Sequence, residues 1–179
     1  GKVVVITGGA RGNGAATAAA LVAQGARVAI GDLDEDLTKR VAKELGDDTL
    51  GLRLDVTDHA GFSGFLDDVE RELGPIDVLV NNAGIMSLAL LDEESDQTTG
   101  RQIAINLTAV VHGTREAVTR MKPRRCGHIV NIASVAGKFG AAGGATYSAT
   151  KHGVVGLCEA VYYELRGTGV EISAVMPTI

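Results

Sequence analysis

At 179 residues the chain suits one domain, and its 45% apolar and 22% charged content is that of a globular protein with a single sizeable core. A net charge of −5 gives no electrostatic footprint for nucleic acid or an anionic membrane. Only 3% of residues are aromatic and none is Trp, which also speaks against a base-stacking platform.

Strand-like and helix-like stretches alternate along the chain. Residues 2–7 (KVVVIT) are a short β-branched run, and the Ala-rich stretch 14–25 behind them reads as a helix. Residues 27–32 (RVAIGD) are a second strand. The next helix, 34–46, carries Leu37, Val41 and Leu45 at helical spacing. A strand over 50–56 leads to a helix over 59–74, with Phe62, Phe65, Leu66, Val69 and Leu73 on one face. Residues 76–84 (IDVLVNNAG) are a nearly all-apolar fourth strand, followed by one long helix within 96–121. A fifth strand at 127–134, a helix at 147–166 and a sixth strand at 170–177 complete the series. Glycines 25, 46, 74 and 167 fall just past four helices, where a left-handed residue is wanted. Continuous apolar strands imply burial on both faces, hence a parallel sheet. Repeated βαβ units give an α/β fold with a doubly wound, Rossmann-like sheet in three α/β/α layers. Residues 1–179 read as one dinucleotide-binding and catalytic domain. The last strand runs straight into the terminus, so the chain reads as one cut short at its C-terminal end.

Cys126 and Cys158 are isolated and, with four scattered histidines, form no metal spacing. Two reduced thiols, no apolar stretch of membrane-spanning length and no leader pattern fit a cytoplasmic protein. The run DEESD (92–96) reads as a solvated helix entrance. His112, His128 and His152 read as packing or surface residues, and KPRRCG (122–127) as a basic loop closing a helix.

Between the first strand and the first helix lies TGGARGNG (7–14). Glycines allow a backbone to approach a pyrophosphate, and a helix N-terminus holds its charge. The competing reading is a tight turn that is merely glycine-rich. Tyr147 and Lys151, four apart, share one face of a helix and continue the stripe Val154, Val155, Cys158, Val161 and Leu165. A phenol titrating near ~10 is a poor base at neutral pH, and a nearby ammonium favours its phenolate.

These motifs together resemble the classical short-chain dehydrogenase/reductases. The quoted parallels are the T-G-x-x-x-G-x-G turn, NNAG (81–84) and YSATK with Ser134 13 residues upstream. The resemblance implies an NAD-dependent oxidoreductase that interconverts a secondary alcohol and a ketone by hydride transfer. It implies Ser134 as the hydrogen-bond donor to the substrate oxygen and Tyr147 as acid/base. Lys151 would bind the nicotinamide ribose, and Asn106 would support a water relay to the lysine. On the cofactor side it implies Gly8, Gly12, Asn13 and Gly14 in the phosphate turn and Asp32 with Leu33 at the adenosine ribose. Asp55 and Val56 would meet the adenine, and Asn82, Ala83 and Gly84 would line the adenosine side and stabilise the sheet edge. Pro177 and Ile179 would start the wall beside the nicotinamide.

Several residues have a second reading. Asp32 favours NAD because a carboxylate repels a 2′-phosphate, whereas Arg11 is either a solvated loop cation or a 2′-phosphate contact that would favour NADP. Asp55 could instead cap the next helix, Ser134 could be a turn serine, and Asn106 could bond its own helix backbone. The chain departs from the family at Pro177–Thr178, where Pro-Gly is usual, and lacks the family's following lid and seventh strand. The alternatives are an NADPH-dependent carbonyl or 3-oxoacyl-type reductase, and a non-catalytic dinucleotide-binding protein. The family also implies a homodimer or homotetramer through the 96–121 and 147–166 helices, with a small alcohol or ketone as the other partner and no metal.

Overall fold

All six expected β-branched runs form strands: β1 (Val3–Thr7), β2 (Arg27–Asp32), β3 (Thr49–Arg53), β4 (Val78–Asn81), β5 (Gly127–Ile132) and β6 (Val170–Val175). In the computed structural model, which describes residues 1–178, they pair in parallel in the order β3-β2-β1-β4-β5-β6. The helices are α1 (Gly12–Ala23), α2 (Glu35–Leu45), α3 (His59–Leu73), α4 (Asp96–Ile103), α5 (Ala109–Met121) and α6 (Ala145–Glu164).

Alternation along β1 divides the core between two faces. Val3 and Val5 pack with Phe62, Leu66, Leu79 and Met121 beneath α3 and α5. Val4 and Ile6 pack with Ala18, Ile30, Ala42 and Val80 beneath α1 and α2. Val154, Val155 and Cys158 seat α6 against Val110 and Ala133. Asp34, Asp58 and Ser95 cap α2, α3 and α4, accepting N–H bonds from Leu37, Gly61 and Thr98. Gly25, Gly46, Gly74 and Gly167 all adopt positive φ beyond their helices.

Three expectations change. The first two strands end where expected, but β3 to β6 end earlier than their runs: β4 stops at Asn81, because the next two N–H groups leave the ladder and donate to the Thr7 hydroxyl at 3.1 Å each. The stretch 96–121 is not one regular helix. A π-helical turn, Ala104–Thr108, separates α4 from α5 and places Asn106 at its middle. Finally, NNAG is not at a sheet edge, since β4 lies between β1 and β5. There Asn81 Nδ2 donates to Asn131 Oδ1 at 2.8 Å, and Asn131 Nδ2 donates to Thr114 Oγ1 at 3.1 Å and to Cys158 Sγ at 3.3 Å. This polar group ties β4, β5, α5 and α6 together inside the core.

Among the described residues no helix is long and apolar enough to cross a membrane, and no cluster of His, Cys, Asp or Glu could hold a metal ion. The arginines of 122–127 donate to carbonyls: Arg124 to Ile76 and Arg125 to Gly167. His128 bonds the Ser173 hydroxyl, and His112 stacks on His59.

Candidate active site

Strand order turns between β1 and β4, so the loops leaving these strands part and open a crevice at their carboxyl ends. The glycine turn fills one side of it. Gly8 and Gly12 hold φ of +64° and +54°. The three glycines have different reasons. A Cβ on Gly8 would lie 2.8 Å from Ala83 Cα, and one on Gly14 would lie 2.2 Å from Gly8 O. Both are required by the protein's own packing. At Gly12 a Cβ would meet nothing within 4 Å, so this position is open for close approach of a ligand. The Asn82 amide clips the turn to β4, donating to Thr7 O at 2.9 Å and Gly8 O at 3.0 Å.

Beyond the turn lies a cavity of about 420 Å³, lined by Gly8, Arg11, Gly12, Asn13, Gly14, Asp32, Leu33, Asp55, Val56, Asn82, Ala83 and Gly84. Asp32 receives only long backbone bonds, from Ala10 N at 3.3 Å and Asp34 N at 3.4 Å, and keeps acceptor capacity towards the cavity. Arg11 pairs with Asp34 at 2.7 Å, both side chains being exposed. Asp55 does not cap α3. The Thr57 hydroxyl and N–H donate to its Oδ1 at 2.7 and 2.9 Å and hold its carboxyl below the usual carboxylate range.

The second cavity, of about 450 Å³, shares Asn13, Asn82, Gly84 and Ile85 with the first and adds Ser134, Tyr147, Lys151 and Pro177. The two form a continuous groove long enough in chemistry for a dinucleotide: a carboxylate at one end, an open glycine turn in the middle, hydroxyls and an ammonium at the other. Ser134 is both a turn serine and a cavity residue. Its Oγ accepts the Ala136 N–H at 3.1 Å, which leaves the hydroxyl proton free to donate. Lys151 is buried, donates to Ile132 O at 2.8 Å and has its Nζ 5.7 Å from the centre of the Tyr147 ring. Burial lowers its pKa to about 8.

Asn106 does not bond its own helix backbone. Its amide clasps Ile85, accepting from Ile85 N and donating to Ile85 O at 2.8 Å each. Gly84 faces both Asn106 Oδ1 and Lys151 Nζ, which a Cβ there would approach to 3.4 and 3.7 Å. Ile179 lies outside the described residues.

Sequence reasoning missed Leu54, Ile85, Arg101 and Ile105, which also line the adenosine-side cavity. The spacing of Arg101 and Ile105, four apart on a helix, was a usable signal. It also missed Glu94, which turns inward from the acidic run to bond Gln102 and Thr146.

Comparison with known proteins agrees with the parallel α/β fold. The chain is 37% identical over 177 residues to the 3-oxoacyl-(acyl-carrier-protein) reductase of Salmonella typhimurium, covering 99% of this chain and 72% of that protein. It is 38% identical to a 3-alpha-(or 20-beta)-hydroxysteroid dehydrogenase of Mycobacterium bovis, covering 99% of this chain and 68% of the relative. A short-chain dehydrogenase/reductase structure from Burkholderia phymatum in complex with NAD superposes with a TM-score of 0.97 at 34% identity, covering 100% of this chain and 66% of that one. The short chain dehydrogenase family model matches residues 2–179, and the chain belongs to that family of CH–OH oxidoreductases.

Proposed function

We propose that the protein interconverts a secondary alcohol and its ketone, using NAD as hydride acceptor. The observation that carries this reading is the convergence of Ser134, Tyr147 and Lys151 on a cavity continuous with the glycine-turn groove. The residues present fit the cofactor. Gly12 is open to the pyrophosphate, Asp32 can accept from the adenosine ribose hydroxyls, and Asp55 and Val56 flank the adenine end. When bound, the nicotinamide supplies the hydride acceptor or donor.

The chain's own residues would do the rest. Ser134 donates its hydroxyl proton to the substrate oxygen and stabilises charge there. Tyr147, as phenolate, takes the alcohol proton as the hydride leaves, and returns it in the reverse direction. Lys151, cationic below about pH 8, favours that phenolate by its charge. One of its N–H groups is held by Ile132 O, and the other two would be available to hold the nicotinamide ribose hydroxyls. Asn106 anchors Ile85 in the cavity wall and would, on the family pattern, support a water relay to Lys151.

Tyr147→Phe removes the acid/base. With a panel of secondary alcohols and NAD, read at the nicotinamide absorbance, it should lower kcat by about 10²–10⁴-fold. An unchanged rate on the same alcohol refutes the assignment.

A second reading, an NADPH-dependent 3-oxoacyl-type reductase, is favoured by two observations. Arg101 lines the adenosine-side cavity, and the Arg11–Asp34 pair is exposed and so weak enough for a 2′-phosphate to displace. Asp32 stands against it, and the NAD reading rests on that carboxylate.

A further inference from the structure

Glu94 lies outside the cofactor groove, in the turn before α4. Its neighbours Asp92, Glu93 and Asp96 are exposed, whereas Glu94 is half-buried. Its carboxylate accepts two short bonds: Oε1 from Gln102 Nε2 at 2.6 Å and Oε2 from the Thr146 hydroxyl at 2.5 Å. Hydrogen bonds to an ionised group are shorter and stronger than neutral ones. Gln102 is fully buried on α4, and its other end accepts the Ser87 N–H at 3.1 Å. Two residues on, Ala89 N–H donates to Gly143 O at 2.9 Å. One carboxylate therefore joins three pieces: the segment 85–91 that begins in the reacting cavity's wall, helix α4, and the first turn of α6.

Thr146 directly precedes Tyr147. Helix α6 starts after Gly144 with no side-chain cap and no acid in its first turn. Its exposed N–H groups and positive dipole end have no partner in their own sequence. Glu94 brings a negative charge to this turn from elsewhere in the chain. From inside the protein, the Thr150 hydroxyl donates to Tyr147 O at 2.7 Å and receives Asn106 Nδ2 at 3.4 Å. The turn that carries Tyr147 is thus held from two sides, and Glu94 is the charged member.

We infer that Glu94 is a positioning residue, whose carboxylate, through Thr146 and Gln102, fixes the Tyr147 turn against the segment 85–91, of which Ile85 and Met86 line the cavity. The inference rests on the reading of Tyr147 as the acid/base. Glu94 touches no reacting atom. Its effect is geometric, and a misplacement of about 1 Å at a reacting group lowers the rate by about 10²-fold.

The test compares Glu94→Ala and Glu94→Gln with the parent, using kcat on a secondary alcohol, the Kd of NAD by fluorescence, and amide hydrogen exchange. Glutamine keeps the shape and still has an acceptor and a donor for Gln102 and Thr146. Glu94→Ala should lower kcat by about ten- to a hundredfold with the NAD Kd within about twofold of the parent's. Glu94→Gln should restore most of the rate. Exchange should rise in 145–151 and 85–91 of the alanine variant and stay unchanged in the strands. A kcat for Glu94→Ala within twofold of the parent's overturns the inference. So does NAD affinity lost in step with activity, exchange rising across the whole sheet, or a glutamine variant no better than alanine. A parent that oxidises no alcohol sinks the proposed function instead. Local exchange in the two segments then decides the clamp alone: increased, it stands; unchanged, it falls.

Discussion

In the proposed function, Lys151 is the residue where activity and stability oppose each other. Only 4% of it is exposed, and its ammonium keeps one protein partner, Ile132 O. Burial brings its pKa from 10.5 to about 8. Between those two values the unfolded chain binds more proton than the folded one, so this group makes stability rise with pH there. Below about pH 8 both states are protonated and the whole penalty is felt, roughly 3 kcal/mol at 1.36 kcal/mol per pH unit. Lys151→Met removes the penalty and loses a hydrogen bond of about 1 kcal/mol. The variant should be more stable than the parent at pH 7, with the advantage shrinking towards pH 10. Urea midpoints at the two pH values measure this, and a gap that does not change with pH refutes it. The approach of Lys151 to the Tyr147 ring was legible because the two lie four residues apart on one helix. Glu94 was not, because acidic runs usually face water and its partner Thr146 is 52 residues distant.

The same contrast holds for the elements. Period and glycine placement were enough to find every strand and the helix ends at Gly25, Gly46 and Gly74, because these depend on local backbone preference and one-sided burial. The π turn at Ala104–Thr108 was invisible. It is set by the tertiary clasp of Asn106 on Ile85, which no local preference encodes. The buried Asn81–Asn131 bond was hidden for the same reason, as both asparagines sit in runs that read as strand ends. The outer face of α6 has a further consequence. Ala149, His152, Gly156, Ala160 and Tyr163 are exposed at three- and four-residue spacing, and a Cβ on Gly156 would meet nothing within 4 Å. A face with Ala149, Gly156 and Ala160 as its small residues suits close helix packing against a second copy. We propose a homodimer or homotetramer through this face and the α4–α5 side. Light scattering should give a multiple of the chain mass, and Ala160→Arg should reduce it. A monomeric parent contradicts the proposal.

At the scale of the molecule, the alternation of strands and helices was sufficient to foresee a parallel sheet covered on both faces. It did not contain the order β3-β2-β1-β4-β5-β6, which follows from crossovers in both directions from β1. That order puts Asp32 and Asp55 on the β1–β3 half and Ser134, Tyr147 and Lys151 on the β4–β6 half, with the glycine turn between them. A ligand lying along the groove must touch both halves, so its binding energy should appear as stability of the whole fold and not of one lobe. At a hundredfold excess over Kd, NAD should add about 2.7 kcal/mol. For a chain of this size each kcal/mol moves Tm by about 2–4 °C, a rise of roughly 5–10 °C in one cooperative transition. NADP at the same concentration should raise it less, because its 2′-phosphate would approach the Asp32 carboxylate. Asp32→Ala should narrow the difference from both sides, losing ribose bonds for NAD and repulsion for NADP. Differential scanning fluorimetry with both nucleotides is the measurement. A larger rise with NADP in the parent would assign the groove to the phosphorylated cofactor, with Arg101 or a released Arg11 as its cation.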